Sequence, residues 1–403
     1  MVYCSALPPV MLGLTGRAAG SVRLRLRENF LYWILLGVAR CRPPAAPFVP
    51  DRVRTLVVVS NTALGDTVLA TAALRALRHR YAKARLVFVA HPVYAPLIAA
   101  LGAADAIYRY DGAWRGFLTM VRRLRSEHCD LAVILHSNEP QATPLVYLAG
   151  ARWIFKLPNT SRFRFLLSNR EPRLDWSAFR HGFEARLMTA ALADAPVEDA
   201  RLWLTVNHDS TPIDRVLGRG AFAAVAPESK ANGFLIGFQP CASSRSRMWP
   251  AEHFVALGRR LLALHPDARI VLTGAATEAD YCRTIADPLG TRARLACGLP
   301  IEDLPSLLAS LDCVVSGDTG TLHVAVAVGT PVVGLYAVSD PTASGPAQDL
   351  TRHEIIYHPC AEAVSTKSED DRCIARIAVA EVEAACERVL ARSAKRAGRA
   401  EQT

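Results

Sequence analysis

The chain has 403 residues, of which 51% are hydrophobic and 21% charged, a balance that is typical of globular proteins and excludes a disordered chain. The counts of 24 Gly, 25 Pro and 10 Cys exclude a collagen-like, low-complexity or disulfide-scaffold protein, and no apolar run is long enough to span a membrane. The net charge of +10 indicates either an arginine-rich coding bias or affinity for phosphate-rich partners such as nucleotides and anionic lipids. The sequence has no zinc finger or RNA-binding aromatic motif, so we expect no nucleic-acid partner.

The ten cysteines are scattered along the chain, without a Cys-x-x-Cys pair or a histidine cluster at zinc-ligand spacing. Most lie in apolar stretches, as Cys313 does, which is typical of buried, reduced thiols. We therefore expect no metal site and a reducing, cytoplasmic location.

Residues 1–50 form a basic and apolar extension. Four arginines, Arg17, Arg23, Arg25 and Arg27, precede an apolar, aromatic run. A basic amphipathic helix of this kind is typical of the membrane interface. Two alternatives remain: the helix docks on the protein's own body, or the start codon is misassigned and part of the extension is artefactual.

An N-terminal α/β domain is predicted over 51–215. Runs of β-branched and apolar residues predict strands at 54–59, 85–90, 105–109 and 130–135. Amphipathic segments between them predict helices at 67–80, 93–101 and 114–127. This alternation favours a doubly wound parallel sheet. The arginine- and aromatic-rich stretch 156–186 has no clear period and is interpreted as a lid or acceptor loop.

Proline and glycine residues predict a linker over 216–233, and a second α/β domain is predicted over 234–390, followed by a tail at 391–403. Strands are predicted at 234–238, 269–274, 313–316 and 331–336. Helices are predicted at 250–264, from about 277, and at 303–310, 321–328 and 375–396. The two halves share an architecture without a sequence repeat.

Three polar loops, 60–66, 240–247 and 317–323, follow predicted strands, and ligands of open parallel sheets bind beyond the carboxyl ends of strands. The third loop combines glycines and hydroxyls with a helix start, a natural phosphate site. Guanidinium groups such as that of Arg247 suit a diphosphate. Asp66 is a candidate general base for an acceptor hydroxyl.

Each candidate also has a structural interpretation. Asp318 is suited to cap the following helix, Asp66 to cap the helix predicted at 67–80, and His323 to be a satisfied core histidine. No strand is followed by Gly-x-Gly-x-x-Gly or a Walker A motif, which argues against dehydrogenase and kinase functions.

Three motifs in order resemble glycosyltransferase family 9, which contains the ADP-heptose:lipopolysaccharide heptosyltransferases. The opening motif is 64–71, the segment 246–250 is similar to the family's central Lys-x-Trp-Pro, and 318–325 with 329–331 and 336–341 looks like its donor-site signature. The likeness covers about residues 54–346.

The resemblance implies a GT-B architecture of two facing Rossmann-like domains, with the acceptor on the first and the nucleotide-sugar on the second. It implies an inverting transfer without metal or other cofactor, with Asp66 as the catalytic base. The donor's diphosphate and sugar would be held by Asp318, Thr319, Gly320 and His323. Ser243 and Arg247 would contact phosphate, and Glu278 is a looser candidate for the nucleoside ribose.

The expected reaction is transfer of heptose from ADP-heptose to a lipopolysaccharide core or related lipid-linked glycan at the membrane surface. Ser60 stands where the family often has Lys or Arg, and Arg247 replaces the central Lys, so the acceptor is less defined than the reaction class. The alternatives are a catalytically degenerate nucleotide- or lipid-binding scaffold and another Rossmann enzyme, such as a nucleotide-sugar epimerase or dehydrogenase.

Overall fold

Two parallel sheets organise the chain in the computed structural model, which describes residues 16–41, 47–207, 233–361 and 364–400. The first sheet has the order β3-β2-β1-β4-β5. Its strands are β1 (Thr55–Ser60), β2 (Arg85–Ala90), β3 (Ala106–Arg109), β4 (Leu131–His136) and β5 (Trp153–Lys156). Every residue of β1 is buried, because the strand lies at the centre of the sheet and pairs in parallel with both β2 and β4.

Helices precede, connect and follow these strands. They are α1 (Gly16–Cys41), α2 (Leu64–Leu69), α3 (Thr71–Arg80), α4 (Ala95–Ala100), α5 (Trp114–Arg125), α6 (Ala142–Leu148) and α7 (Gly182–Leu192). The prediction of one helix over 67–80 is wrong at its start, because the helix begins at Leu64 and is interrupted at Ala70. Asp66 therefore lies inside the first turn of α2, and the N-cap position belongs to Ala63.

The second sheet has the order β11-β10-β9-β6-β7-β8, and its pairs are also parallel. Its strands are β6 (Leu235–Gln239), β7 (Arg269–Gly274), β8 (Ala293–Cys297), β9 (Cys313–Gly317), β10 (Val332–Tyr336) and β11 (Glu354–Tyr357). Its helices are α8 (Ala251–Leu264), α9 (Ala279–Ala286), α10 (Leu304–Ala309), α11 (Gly320–Ala327), α12 (Pro341–Ser344) and α13 (Val379–Ala400). The predicted fold class, two α/β units with parallel sheets, is confirmed.

The predicted linker at 216–233 falls, except for Gly233, outside the described residues. The strands of the first sheet all precede it and those of the second sheet all follow it. At the other end of the chain, residues 391–400, predicted as a tail, continue helix α13. This helix packs on α8 and on β9 to β11, so it belongs to the second lobe.

The N-terminal helix α1 docks on the first lobe along one face. Leu35 is fully buried in a cluster with Phe163 and Leu166, and the Arg162 guanidinium lies 4.1 Å from the centre of the Tyr32 ring. The opposite face remains exposed, with Phe30 71% and Trp33 66% accessible. No helix among the described residues is long and apolar enough to cross a membrane.

Among the cysteines that the structure describes, five are buried free thiols, as expected: Cys129, Cys241, Cys282, Cys313 and Cys386. Cys360 and Cys373 differ from the expectation, since they form a disulfide that links the loop after β11 to the segment before α13. Both lie at the edge of the core of the second lobe, where two loops come together.

Candidate active site

The two lobes meet where helix α2 of the first lobe abuts helix α11 of the second. A methyl group on Gly320 would lie 2.6 Å from Leu64 Cβ, and one on Gly65 would lie 2.9 Å from His323 Cδ2. Such distances leave no room for a side chain, so glycine is required at both positions. This close approach places Asp66, one residue after Gly65, beside the turn that contains Asp318.

Asp66 is held by a set of donors from the first lobe. Its Oδ1 lies 2.7 Å from Arg186 Nη2, and its Oδ2 accepts a hydrogen bond from Thr62 Oγ1 at 2.7 Å. Burial favours the protonated acid, but the interactions with His136 and Arg186 and the Thr62 hydrogen bond outweigh it, so the pKa of Asp66 lies below its usual value. The carboxylate is therefore ionised at neutral pH.

Arg186, on helix α7, is the buried counter-ion of this carboxylate. Its side chain is 2% exposed, and it also donates to the Gly182 carbonyl at the start of its own helix. Burial lowers the pKa of Arg186, while Asp66 opposes that shift. Its Nε is buried with no hydrogen-bond partner in the described part of the chain, so the pairing with Asp66 is its main compensation for lost solvation.

His136, the last residue of β4, completes the group around Asp66. The ionised Asp66 carries no proton, so the Thr62 hydroxyl must donate to it. Thr62 Oγ1 is also 2.7 Å from His136 Nδ1, and this contact then requires Nδ1–H of His136 to donate. Burial lowers the pKa of His136 to about 4, so the ring is neutral at pH 7 and its Nε2 is an unprotonated acceptor.

On the second lobe, Arg247 and Asp318 form an ion pair. Arg247 Nη1 donates to the Asp318 carbonyl at 3.1 Å and lies 3.3 Å from its Oδ2, while Nη2 donates to Ser243 Oγ. Ser339 Oγ donates to the same Asp318 Oδ2 at 2.7 Å. The guanidinium is held facing the helix start with about a fifth of its side chain still exposed.

Thr319, and not Asp318, caps helix α11. The Thr319 hydroxyl accepts a hydrogen bond from Leu322 N at 3.4 Å and contacts Ser316 Oγ at 2.9 Å. The interpretation of Asp318 as the helix cap is therefore wrong, because the capping bond is made one residue later. The N–H groups that follow at the start of α11 give this end of the helix a partial positive charge.

His323 lies inside α11, 5% exposed, with its ring against Gly65. Burial, followed by the nearby His181, lowers its pKa to about 4, so the imidazole is neutral at pH 7. Its Nδ1 is buried and has no partner among the described residues. The interpretation as a satisfied core histidine is therefore wrong, since the buried Nδ1 lacks a hydrogen bond.

Two neighbouring cavities form the site. A cavity of 790 Å³ is lined by residues of both lobes and contains Ser243 and Glu278. A cavity of 230 Å³ contains Asp66 and His323 together with His136, Trp176 and Arg186. Residues that line both cavities are Ala63, Gly65, Arg247, Asp318, Thr319 and Gly320.

All eight residues predicted for the site thus line one or both of these cavities. Glu278 lines only the larger cavity, and its Oε2 accepts a hydrogen bond from Ala275 N at 2.7 Å after strand β7. Sequence reasoning missed His136, Trp176 and Arg186. His136 could have been found, since it follows a predicted strand at the edge where ligands bind. Within the described ranges, no group of three or more His, Cys, Asp or Glu residues is arranged to hold a metal ion.

The sequence profile of glycosyltransferase family 9 (heptosyltransferase) matches residues 119–372, more than half of the chain. The chain belongs to glycosyltransferase family 9. A similar family member is the lipopolysaccharide core heptosyltransferase OpsX of Haemophilus influenzae, 21% identical over 322 residues that cover 78% of this chain and 88% of OpsX. Lipopolysaccharide heptosyltransferase 2 of Salmonella typhimurium is 29% identical over 124 residues, 29% of this chain and 35% of that one.

Solved structures share the two-lobed fold. A family 9 glycosyltransferase from Veillonella parvula superposes with a TM-score of 0.69 at 20% identity and covers 86% of this chain and 99% of its own. Escherichia coli ADP-heptose lipopolysaccharide heptosyltransferase II gives a TM-score of 0.65 at 19% identity, covering 84% and 99%. The predicted family and its GT-B architecture are confirmed.

Proposed function

We propose that this family 9 enzyme transfers heptose from ADP-heptose to a lipid-linked acceptor, a lipopolysaccharide core or related glycan. The observation that carries the proposal is the 230 Å³ cavity in which Asp66 of one lobe and Arg247 and Asp318 of the other line the same space. A base and a cationic leaving-group site on opposite sides of one small cavity suit direct displacement at a sugar carbon. The names of the relatives point to the same donor and acceptor classes.

On the acceptor side, Asp66 serves as the general base. It accepts the proton of the incoming hydroxyl while that oxygen bonds to the anomeric carbon, and the bond from this carbon to the ADP oxygen breaks. Attack from the side opposite the leaving group inverts the anomeric centre. Arg186 and Thr62 hold the carboxylate in place, because each occupies one of its oxygens at 2.7 Å.

On the donor side, the departing diphosphate gains negative charge. Arg247 and the N–H groups at the start of α11 stabilise that charge without a metal ion, since they are fixed before the reaction begins. The 790 Å³ cavity has room for the nucleoside, with Glu278 facing the ribose and Ser243 beside Arg247 near the phosphates. The neutral imidazole of His323 lines the 230 Å³ cavity, where it can hydrogen-bond the sugar or diphosphate.

The enzyme works at the cytoplasmic face of the inner membrane in this proposal. The outward face of α1 presents Phe30, Trp33, Ile34 and Val38, all more than a third exposed. Aromatic and aliphatic side chains on one face of a helix are typical of insertion into the headgroup region. A location at the membrane brings the enzyme to its lipid-linked acceptor.

The test combines the purified full chain, ADP-heptose and a lipid A–core acceptor, with the product mass measured by mass spectrometry and the anomeric configuration by NMR. We expect a mass gain of one heptose with inversion, and calorimetric binding of ADP-heptose in preference to UDP-, GDP- and CDP-sugars. The absence of both transfer and nucleotide-sugar binding across the donor panel would overturn the proposal. Binding without turnover would instead support the non-catalytic scaffold.

A further inference from the structure

A third cavity lies between helix α1 and the edge of the first sheet at β5. It has a volume of 1090 Å³ and is lined by residues of α1, the loop before β5, β5 itself and the segment 165–170. None of its lining residues lines the two cavities of the active site. Part of its lining, Gly150 to Arg152, directly precedes strand β5, whereas the active site lies beyond the carboxyl ends of the strands.

Three arginines, Arg40, Arg152 and Arg170, line this cavity, and no acidic residue of the described chain does. Their neighbours behave differently, since Arg164 pairs with Glu171 at 2.7 Å and Arg162 lies 3.6 Å from Glu28. Within the described residues no carboxylate pairs with any of the three. Three guanidinium groups around one opening form a local excess of positive charge that favours an anion, above all a phosphate.

Most of the other lining residues are apolar or aromatic. Phe48 and Phe165 form part of the wall, and the Arg152 guanidinium lies 4.6 Å from the centre of the buried Trp153 ring. A free phosphate ion would gain nothing from such a wall. A phospholipid would use both parts, with its phosphate at the arginines and its glycerol and upper acyl chains against the rings.

The position of the cavity also favours a phospholipid as its ligand. Arg40 belongs to the last turn of α1, and the exposed apolar residues of that helix are Phe30, Trp33, Ile34 and Val38. Their spacing of three, four and eight places them on one face of the helix, opposite Leu35, which is buried against the body. When this face lies in the headgroup region, the arginine-lined opening beside it is level with lipid phosphates.

We propose that Arg40, Arg152 and Arg170 form a binding site for the phosphate of an anionic membrane phospholipid, separate from the acceptor site. The site fixes the orientation of the first lobe on the membrane. The inference rests on the membrane location given under the proposed function, but it does not depend on the identity of the transferred sugar.

The experiment is vesicle flotation of the full chain with phosphatidylcholine alone and with equal parts of phosphatidylcholine and phosphatidylglycerol. We expect tighter binding to the mixed vesicles and a loss of about fivefold per arginine in R152Q/R170Q, from about 1 kcal/mol per surface arginine. The matched control R122Q/R259Q removes the same charge from exposed arginines that do not line the cavity, and its binding should change less than twofold. Glycerol phosphate in solution should not compete.

An equal loss in both double variants would overturn the site in favour of general charge attraction, as would unchanged binding of R152Q/R170Q. Competition by glycerol phosphate would also overturn it, in favour of a soluble phosphate ligand. Transfer to a soluble, deacylated acceptor is measured for the same proteins and should be unchanged. If the wild type transfers no sugar in that assay, the proposed function fails, while the flotation result still decides the lipid site.

Discussion

Asp66 and Arg186 form a 2.7 Å ion pair in which the cation is nearly fully buried and the anion faces the cavity between the lobes. A buried charge without its partner costs about 3–5 kcal/mol. The pair therefore sets two properties together, the ionisation of the carboxylate and the stability of the first lobe around it. These two properties can be separated by substitution.

Replacement of the carboxylate by its isosteric amide, Asp66→Asn, tests the base. We expect the transfer rate to fall by about 10²–10⁴-fold, since the amide cannot accept the proton. Binding of ADP-heptose, measured by calorimetry, should change little, because Asp66 does not line the 790 Å³ cavity proposed for the nucleoside. A variant that still turns over at the wild-type rate would exclude Asp66 as the base.

Loss of the buried cation, in Arg186→Met, leaves Asp66 without its counter-ion. The pKa of Asp66 should rise, so the acidic limb of the kcat/KM profile should move to higher pH. The single variant should also unfold more easily, whereas Asp66→Asn with Arg186→Met should recover part of that loss because no charge is left unpaired. A profile with an unmoved acidic limb would show that Arg186 does not tune the base.

We expect His136 to position Thr62 and Asp66, and two substitutions distinguish its hydrogen bond from its size. In His136→Asn the amide N–H can still donate to Thr62, whereas His136→Leu removes the donor. We expect about a tenfold larger fall in kcat for the leucine variant, corresponding to one hydrogen bond in a charged network. KM for the donor should be similar in both. Equal activities would show that the Thr62 contact is unimportant.

Gly320→Ala tests the contact between the lobes. Its new methyl group would stand 2.6 Å from Leu64 Cβ, so the lobes would have to move apart and Asp66 would move away from Arg247. We expect at least a tenfold loss in kcat, as a misplacement of about 1 Å can cost 10²-fold. The control is Gly116→Ala, another helical glycine whose added methyl would meet only Tyr110 at an ordinary 3.4 Å. Similar losses in both variants would contradict the argument.

Three histidines, His136, His323 and His353, have pKa values lowered to about 4, in each case chiefly by burial. Between pH 4 and the unfolded value near 6.5 the unfolded chain binds more protons, so stability falls as the pH is lowered through this window. Each contributes up to about 1.4 kcal/mol per pH unit. Melting temperatures measured from pH 7 to pH 4 should drop steadily, and a smaller drop is expected in His353→Gln.

The central strands and the three site loops were predictable, because fully buried parallel strands leave continuous apolar runs and the loops that follow them carry the polar motifs. Strand 85–90 and strand 269–274 were predicted with their observed bounds. The edge strands Trp153–Lys156, Ala293–Cys297 and Glu354–Tyr357 were not predicted. They are four or five residues long, and the last two are only partly buried, so their apolar signal is weak.

The partners of Asp66 were less accessible to sequence reasoning. Arg186 lies 120 residues away, in a stretch with many arginines and no periodicity, and only the packing of α7 distinguishes it from the others. The break of the predicted 67–80 helix at Ala70 was also missed, since alanine is a good helix former and gives no local signal for a break. Both the pairing of Arg186 with Asp66 and the helix break at Ala70 depend on tertiary contacts.

The glycine contacts at Gly65 and Gly320 have a consequence for the catalytic cycle. Since the proposed base comes from one lobe and the proposed leaving-group site from the other, the catalytic centre of this proposal is complete only while these two helix ends touch. Separation of the lobes to admit or release substrate must then move Asp66 away from Arg247 and Asp318. A water molecule that reaches the sugar in the open cleft therefore meets no base there. In the proposed mechanism, assembly of the centre on closure of the lobes thus protects the donor from futile hydrolysis.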